Sequence, residues 1–171
     1  MRLTGLLVLC AALSGCGYHL AGPATHVPAN VRTLAVPTFS NKTQAYKTET
    51  VFTAAVVHEL NARSKFVIVS GENNTDADAT LRGTILKETV VPLTYDTATS
   101  QSSSFLITIT AAVTLTARDG RVLWSNDNLS FRQQYQSTQD IASFIQEDSP
   151  AVKRMSRDFA AAVVSDMLES F

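Results

Sequence analysis

Three groups of residues in this 171-residue chain have types and spacing suited to chemistry. His58-Glu59 opens like the helical zinc-peptidase motif, which needs a second histidine one turn later so that both imidazoles reach one ion. Ala62 stands at that position. Asn74, Asp76 and Asp78 alternate like the first ligands of a calcium loop, but the glycine such a loop needs is Ala79, and its twelfth position is Ile85 rather than a bidentate acid. The third group is cationic. Arg118 and Arg121 flank Asp119-Gly120, and Arg132 follows further along. Guanidinium forks suit phosphate and carboxylate oxygens, and solvated turn charges are the alternative reading. His19, His26 and His58 lack ligand spacing, and the chain has no nucleophile elbow and no phosphate-binding glycine loop. The expectation is a protein that binds rather than catalyses, without a metal.

The one cysteine with assigned chemistry lies near the start. Met1-Arg2 is a short positive segment, residues 3–13 are mostly apolar, and Leu13-Ser14-Gly15-Cys16 ends the run. An apolar run this short cannot cross a hydrocarbon core about 30 Å thick, so it reads as a signal. A plain secretory signal is one reading. The four-residue ending also resembles the lipobox of bacterial lipoproteins, which implies cleavage before Cys16 and a diacylglycerol on its sulfur, with further N-acylation. Cys10 would leave with the signal, so no intramolecular disulfide is expected. Two or three acyl chains anchor a protein stably where one does not. Gly17 after the cysteine is compatible with export to the outer membrane.

Composition narrows the class. With 14 Lys+Arg against 15 Asp+Glu, the net charge is −1 and no basic block exists to displace counterions from nucleic acid. At 45% apolar, the chain is neither disordered nor fibrous.

The elements that must position these residues follow from periodicity. Residues 16–30 read as a lipidated tether with Gly22-Pro23 and Pro28, after a signal over 1–15, and 31–171 as one domain. Residues 31–39 alternate as a strand, with Pro37 marking either an edge strand or the strand's end, and 40–43 read as a turn. Phe52, Ala55, Val56 and Leu60 share one face of a helix over 48–62. A short strand follows at 66–69, then a polar loop over 73–78. Leu81, Gly83 and Ile85 share a face of a strand that runs to about residue 91, before Pro92. Residues 94–104 read as a polar connection. From 105 to 118 the alternation is clearest: Ile107, Ile109, Val113 and Leu115 point one way, and Thr108, Thr110, Thr114 and Thr116 the other. That threonine ladder fits a solvated strand face or a neutral surface meeting another protein. Asp119-Gly120 signals a two-residue hairpin into a return strand with Val122, Trp124, Phe131 and Tyr135. A final helix starts at Pro150 with Ser149 as cap, and carries an apolar stripe through Met155, Phe159, Val163, Met167 and Phe171. The expected fold is an α+β two-layer sandwich, with two helices on one face of a mostly antiparallel mixed sheet of four to five strands.

The segment Cys16-Gly17-Tyr18-His19-Leu20 resembles the start of the LptE family of lipopolysaccharide-assembly lipoproteins. The resemblance continues through residues 31–39, Asn41-Lys42-Thr43 and Glu49. It resumes at Ala77-Asp78, Leu81, Gly83 and Ile85, and again at Gly120-Arg121-Val122-Leu123-Trp124. It implies an outer-membrane lipoprotein that is not an enzyme, needs no cofactor beyond the acyl groups on Cys16, and plugs the lumen of the LptD β-barrel. Together the two would deliver lipopolysaccharide to the outer leaflet. Family members bind lipopolysaccharide through basic residues, and Arg118, Arg121, Arg132 and Lys87 are the local candidates here on charge and location. A periplasm-facing scaffold or chaperone for another envelope assembly is the alternative.

Overall fold

The computed structural model describes residues 27–28, 30–69, 76–95, 102–136 and 150–169. Its elements run β1 (Thr33–Ala35), β2 (Ser40–Asn41), α1 (Thr48–Arg63), β3 (Val67–Val69), β4 (Ala79–Tyr95), β5 (Ser102–Ala117), β6 (Val122–Gln136) and α2 (Pro150–Leu168). Six strands form one sheet in the order β3-β1-β4-β5-β6, with β2 also paired to β4. β1 is parallel to both β3 and β4, β2 is parallel to β4, and β4-β5-β6 is an antiparallel meander.

The expected α+β architecture holds, with one strand more than anticipated. Residues 31–39 do not make a single strand, because the chain breaks after Ala35 and resumes as β2. Ser40 and Asn41, read from sequence as a turn, pair with Thr84 and Ile85. The backbone N–H of Phe39, inside the break, donates to the Thr53 hydroxyl at 2.9 Å, and that hydroxyl donates on to the Glu49 carbonyl at 2.6 Å. A buried helix threonine thus supplies the acceptor that a sheet partner would otherwise give.

β4 continues past Pro92 to Tyr95, beyond the end expected from sequence. Proline survives there because β1 and β2 flank β4 only as far as Ile85, so Pro92 sits on an edge where no N–H is demanded by a neighbour. The hairpin after β5 also differs from expectation. Gly120 N–H donates to the Ala117 carbonyl at 2.9 Å, Ala117 N–H donates to the Arg121 carbonyl at 2.8 Å, and Gly120 has φ 88°. This is a three-residue loop, a turn over Arg118 and Asp119 followed by a left-handed glycine, rather than a two-residue loop.

The core lies between the sheet and the two helices. Phe52, Val56 and Leu60 of α1 and Met155, Phe159, Val163 and Met167 of α2 are buried against Leu81, Ile85, Ile109, Val113 and Leu115. Phe159 is the aromatic hub. Its ring lies 4.9 Å from Phe52, 5.5 Å from Phe131 and 6.3 Å from Phe39, in tilted or edge-on arrangements favoured by the ring quadrupoles. Ser149 and Phe171 lie outside the described residues.

Candidate functional site

The four candidate cations fall into two groups, one at the β5–β6 turn and one about midway along the meander. Arg118 and Arg121 sit at the β5–β6 turn. Arg118 Nε donates to the Ala77 carbonyl at 3.1 Å, its Nη2 reaches the Asp76 carbonyl, and Asp78 Oδ1 lies 3.6 Å away. Asp78 in turn accepts from the backbone N–H groups of Arg32 and Thr33, each at 3.0 Å, and from the Thr33 hydroxyl at 2.8 Å. These donors, with the Arg118 charge a smaller influence, hold the Asp78 carboxyl at about 2. The acid that looked like a calcium ligand therefore joins β1 to β4 and to the hairpin turn. Asn74 lies outside the described residues, as do Cys16, His19 and His26. Arg121 is exposed, with Asp119 Oδ2 at 3.9 Å.

Lys87 and Arg132 share the sheet face turned away from the helices, and two irregularities put them there. On β4, Leu81 and Ile85 lie opposite Leu115 and Ala111 on the core side. Strict alternation would keep Lys87 on that side. Leu86 is instead an extra residue between the Ile85–Ala111 and Lys87–Thr110 pairs, so every later side chain changes face. On β6, Trp124 is buried opposite Leu115, and one extra residue lies between Asn126 and Leu129. Phe131 then turns inward, and Arg132 faces out opposite Thr108.

Lys87 opposite Thr110 and Arg132 opposite Thr108 are two strand spacings apart, about 10 Å, and two residues out of register. The threonine ladder lies between them, with Thr89 and Ser130 completing a hydroxyl-bearing patch. Arg82, which the sequence did not single out, is on the same face opposite Thr114. Beyond the cations the β4–β5 part of the face turns apolar, with Val91 opposite Leu106, while Gln134 continues the row on β6. The signal was present in the apolar pattern: core-facing positions move from even numbers at Trp124 to odd ones at the partly buried Phe131 and Tyr135, which requires an inserted residue.

The β4 irregularity has a second effect. It turns Glu88 to the helix side opposite Ile109, where its carboxyl is raised by burial, against a smaller opposing effect of the Thr48 hydroxyl at the start of α1. Glu88 Oε2 is shut from solvent and has no hydrogen-bond partner among the described residues. Across the sheet, Tyr135 stacks on Phe105 at 5.5 Å, and its hydroxyl is raised by burial and then by the Glu88 charge. His58 is exposed on α1. Among the described residues, no three His, Cys, Asp or Glu side chains gather to hold a metal ion.

The family model described as LptE, Lipopolysaccharide-assembly, matches residues 31–167. The chain belongs to the LptE family. No curated protein sequence matches this LptE-family chain. Solved structures share its fold. The rare lipoprotein B from Shewanella oneidensis is 14% identical with a TM-score of 0.51, over 77% of this chain and 92% of that one. A putative lipoprotein from Caulobacter crescentus is 11% identical with a TM-score of 0.52, over 77% and 88%. The PelC dodecamer from Paraburkholderia phytofirmans is 16% identical with a TM-score of 0.50, over 89% and 96%. The helix-on-sheet layering of this LptE-family domain, described above, is the feature these structures have in common with it. No helix among its described residues is long and apolar enough to cross a membrane.

Proposed function

We propose that this LptE-family protein is held at the outer membrane by acyl groups on Cys16, plugs the LptD β-barrel, and contacts lipopolysaccharide in transit through Lys87 and Arg132. The mechanism is binding, not turnover. The observation that carries it is the outward pairing of Lys87 and Arg132 across a threonine-lined strand, with apolar Val91 and Leu106 beyond them. A lipopolysaccharide molecule is anionic at its phosphates and apolar along its acyl chains, and this face offers both kinds of partner in that order. Of the acids on these strands, Glu88 faces the helices and Asp127 lies within the β6 irregularity, so neither lies between the two cations. The neutral hydroxyl surface around them lowers the desolvation penalty of entering a polar barrel lumen.

Arg118 and Arg121 remain the second candidate pair. Arg118 already donates to two carbonyls of the 76–77 segment, which favours a positioning role for it. Purified protein titrated with lipopolysaccharide distinguishes the pairs. Substituting Lys87→Ala with Arg132→Ala should weaken binding by about tenfold, in keeping with the loss of two charge-assisted contacts. Unchanged affinity would remove this face from the function. Co-purification from outer membranes tests the plug, and recovery without a large barrel would favour a scaffold for a different envelope assembly. Cys16→Ala should release the chain from the membrane fraction.

A further inference from the structure

We infer that the edge of β4 along residues 86–91, unpaired among the described residues, is a docking site for an extended, acidic segment of a partner protein. The site adjoins the cation face and shares Lys87 and Val91 with it, but it uses the edge of the sheet and its main chain.

β1 and β2 lie along the same side of β4, β1 against Ala79 and Thr80 and β2 against Thr84 and Ile85. Lys42 N–H donates to the Ile85 carbonyl at 2.9 Å, and the row ends there. The chain is turned out of the row by Asn41. Its Oδ1 accepts from the Thr43 N–H and hydroxyl, each at 2.8 Å, and its Nδ2 donates to the Ala45 carbonyl and to Glu49 Oε2, each at 2.8 Å. Lys47, with φ 53°, then directs the backbone into α1. Among the described residues, no strand pairs with this side of β4 beyond Ile85.

The vacant half-row spans six residues, about 20 Å of strand. Pro92 closes it, since it has no N–H to offer the edge. An unpaired row of main-chain donors and acceptors is complemented by another strand, which fixes the form of the occupant. The side chains along the row fix its chemistry. Leu86, Val90 and Val91 are 37%, 46% and 46% exposed, and Tyr46 at the loop is 68% exposed. These leave apolar side chains exposed along the edge, with Val90 on the helix side and Val91 on the outer face. Lys42 and Lys87 are both exposed, while Glu88, the one acid in the row, is turned to the helix side. A second copy of this chain would bring the same cations to the edge. An acidic segment complements them.

Photo-crosslinking in cells tests this with the full chain. p-Benzoylphenylalanine is placed singly at Leu86 and at Val90, and cross-linked peptides are identified by mass spectrometry. Both positions should trap one segment of one partner, at sites about four residues apart along it and next to acidic residues. Lys42→Glu should lower the yield about three- to tenfold, through reversal of one exposed charge beside the edge. Cross-links to lipopolysaccharide, to an isotopically distinct copy of this chain, or to sites with no common register would overturn the inference, as would the absence of cross-links. Each of these outcomes leaves the lipopolysaccharide titration and the barrel co-purification to stand or fall separately.

Discussion

The ring of Phe39 lies against the backbone of Gly83 so closely that a Cβ at Gly83 would fall 2.5 Å from Phe39 Cδ2. Phe39 occupies the break between β1 and β2, and Gly83 lies on the core face of β4 opposite Val113. The missing side chain leaves room for the ring between sheet and helices, where it also meets Phe159 edge-on. Gly83→Ala should therefore destabilise the fold by about 1–3 kcal/mol through overpacking. Urea unfolding measures the loss, and Phe39→Leu in the same chain should recover part of it. Equal losses in the single and double variants would show that the ring is not what excludes the methyl group.

Phe159 should be the most sensitive core position. It is fully buried and meets three other aromatic rings. Phe159→Ala should cost about 3–5 kcal/mol, from lost transfer free energy and the cavity left behind. Phe159→Leu, which fills much of that volume, should cost less than half as much. Chemical denaturation of both variants checks the order.

Asp78 predicts acid sensitivity with a definite sign. Its carboxyl is held at about 2 in the folded chain against an ordinary 3.8. The stabilisation is present above 3.8 and is lost as pH falls toward 2. Asp78→Asn should lower the melting temperature at pH 7 and reduce the wild-type decline across that acid window. A melting curve for Asp78→Asn that falls as steeply as wild type between pH 4 and 2 would assign the acid sensitivity to other carboxylates.

Glu88 predicts the opposite slope. Burial raises its carboxyl above the ordinary value, so its contribution favours the folded state at low pH and is lost as pH rises through the folded value. Its Oε2 is buried without a hydrogen-bond partner. Glu88→Gln removes that charge, and should raise the urea midpoint at pH 7 while abolishing this part of the pH dependence. A lower midpoint at pH 7 would mean that the ionised carboxylate stabilises the fold.

The sequence by itself determined the elements with strong local periodicity. The two helices, the long threonine-faced strand and the β-α-β-meander-α order follow from apolar spacing, because a 3.6-residue or two-residue repeat must bury one face wherever it folds. The motif spacings also ruled against the zinc-peptidase and calcium-loop patterns, since Ala62, Ala79 and Ile85 occupy positions that those sites need for ligands or a glycine. β2 escaped notice because two residues carry no period, and its pairing depends on β4 lying alongside. The continuation of β4 through Pro92 escaped for a related reason: a proline ends a central strand but not an edge, and only the assembled sheet shows which one this is.

The candidate site was decided by tertiary structure. Lys87, Arg118, Arg121 and Arg132 were legible as cations, but not as two separate groups. One extra residue at Leu86 and another between Asn126 and Leu129 reverse the alternation of β4 and β6. Together they bring Lys87 and Arg132 to the outer face and turn Glu88 inward. Side-chain direction in a strand has period two, so a single insertion exchanges the faces of everything that follows. Where that insertion falls is set by the register against β5, which is a property of the assembled sheet and not of either strand alone.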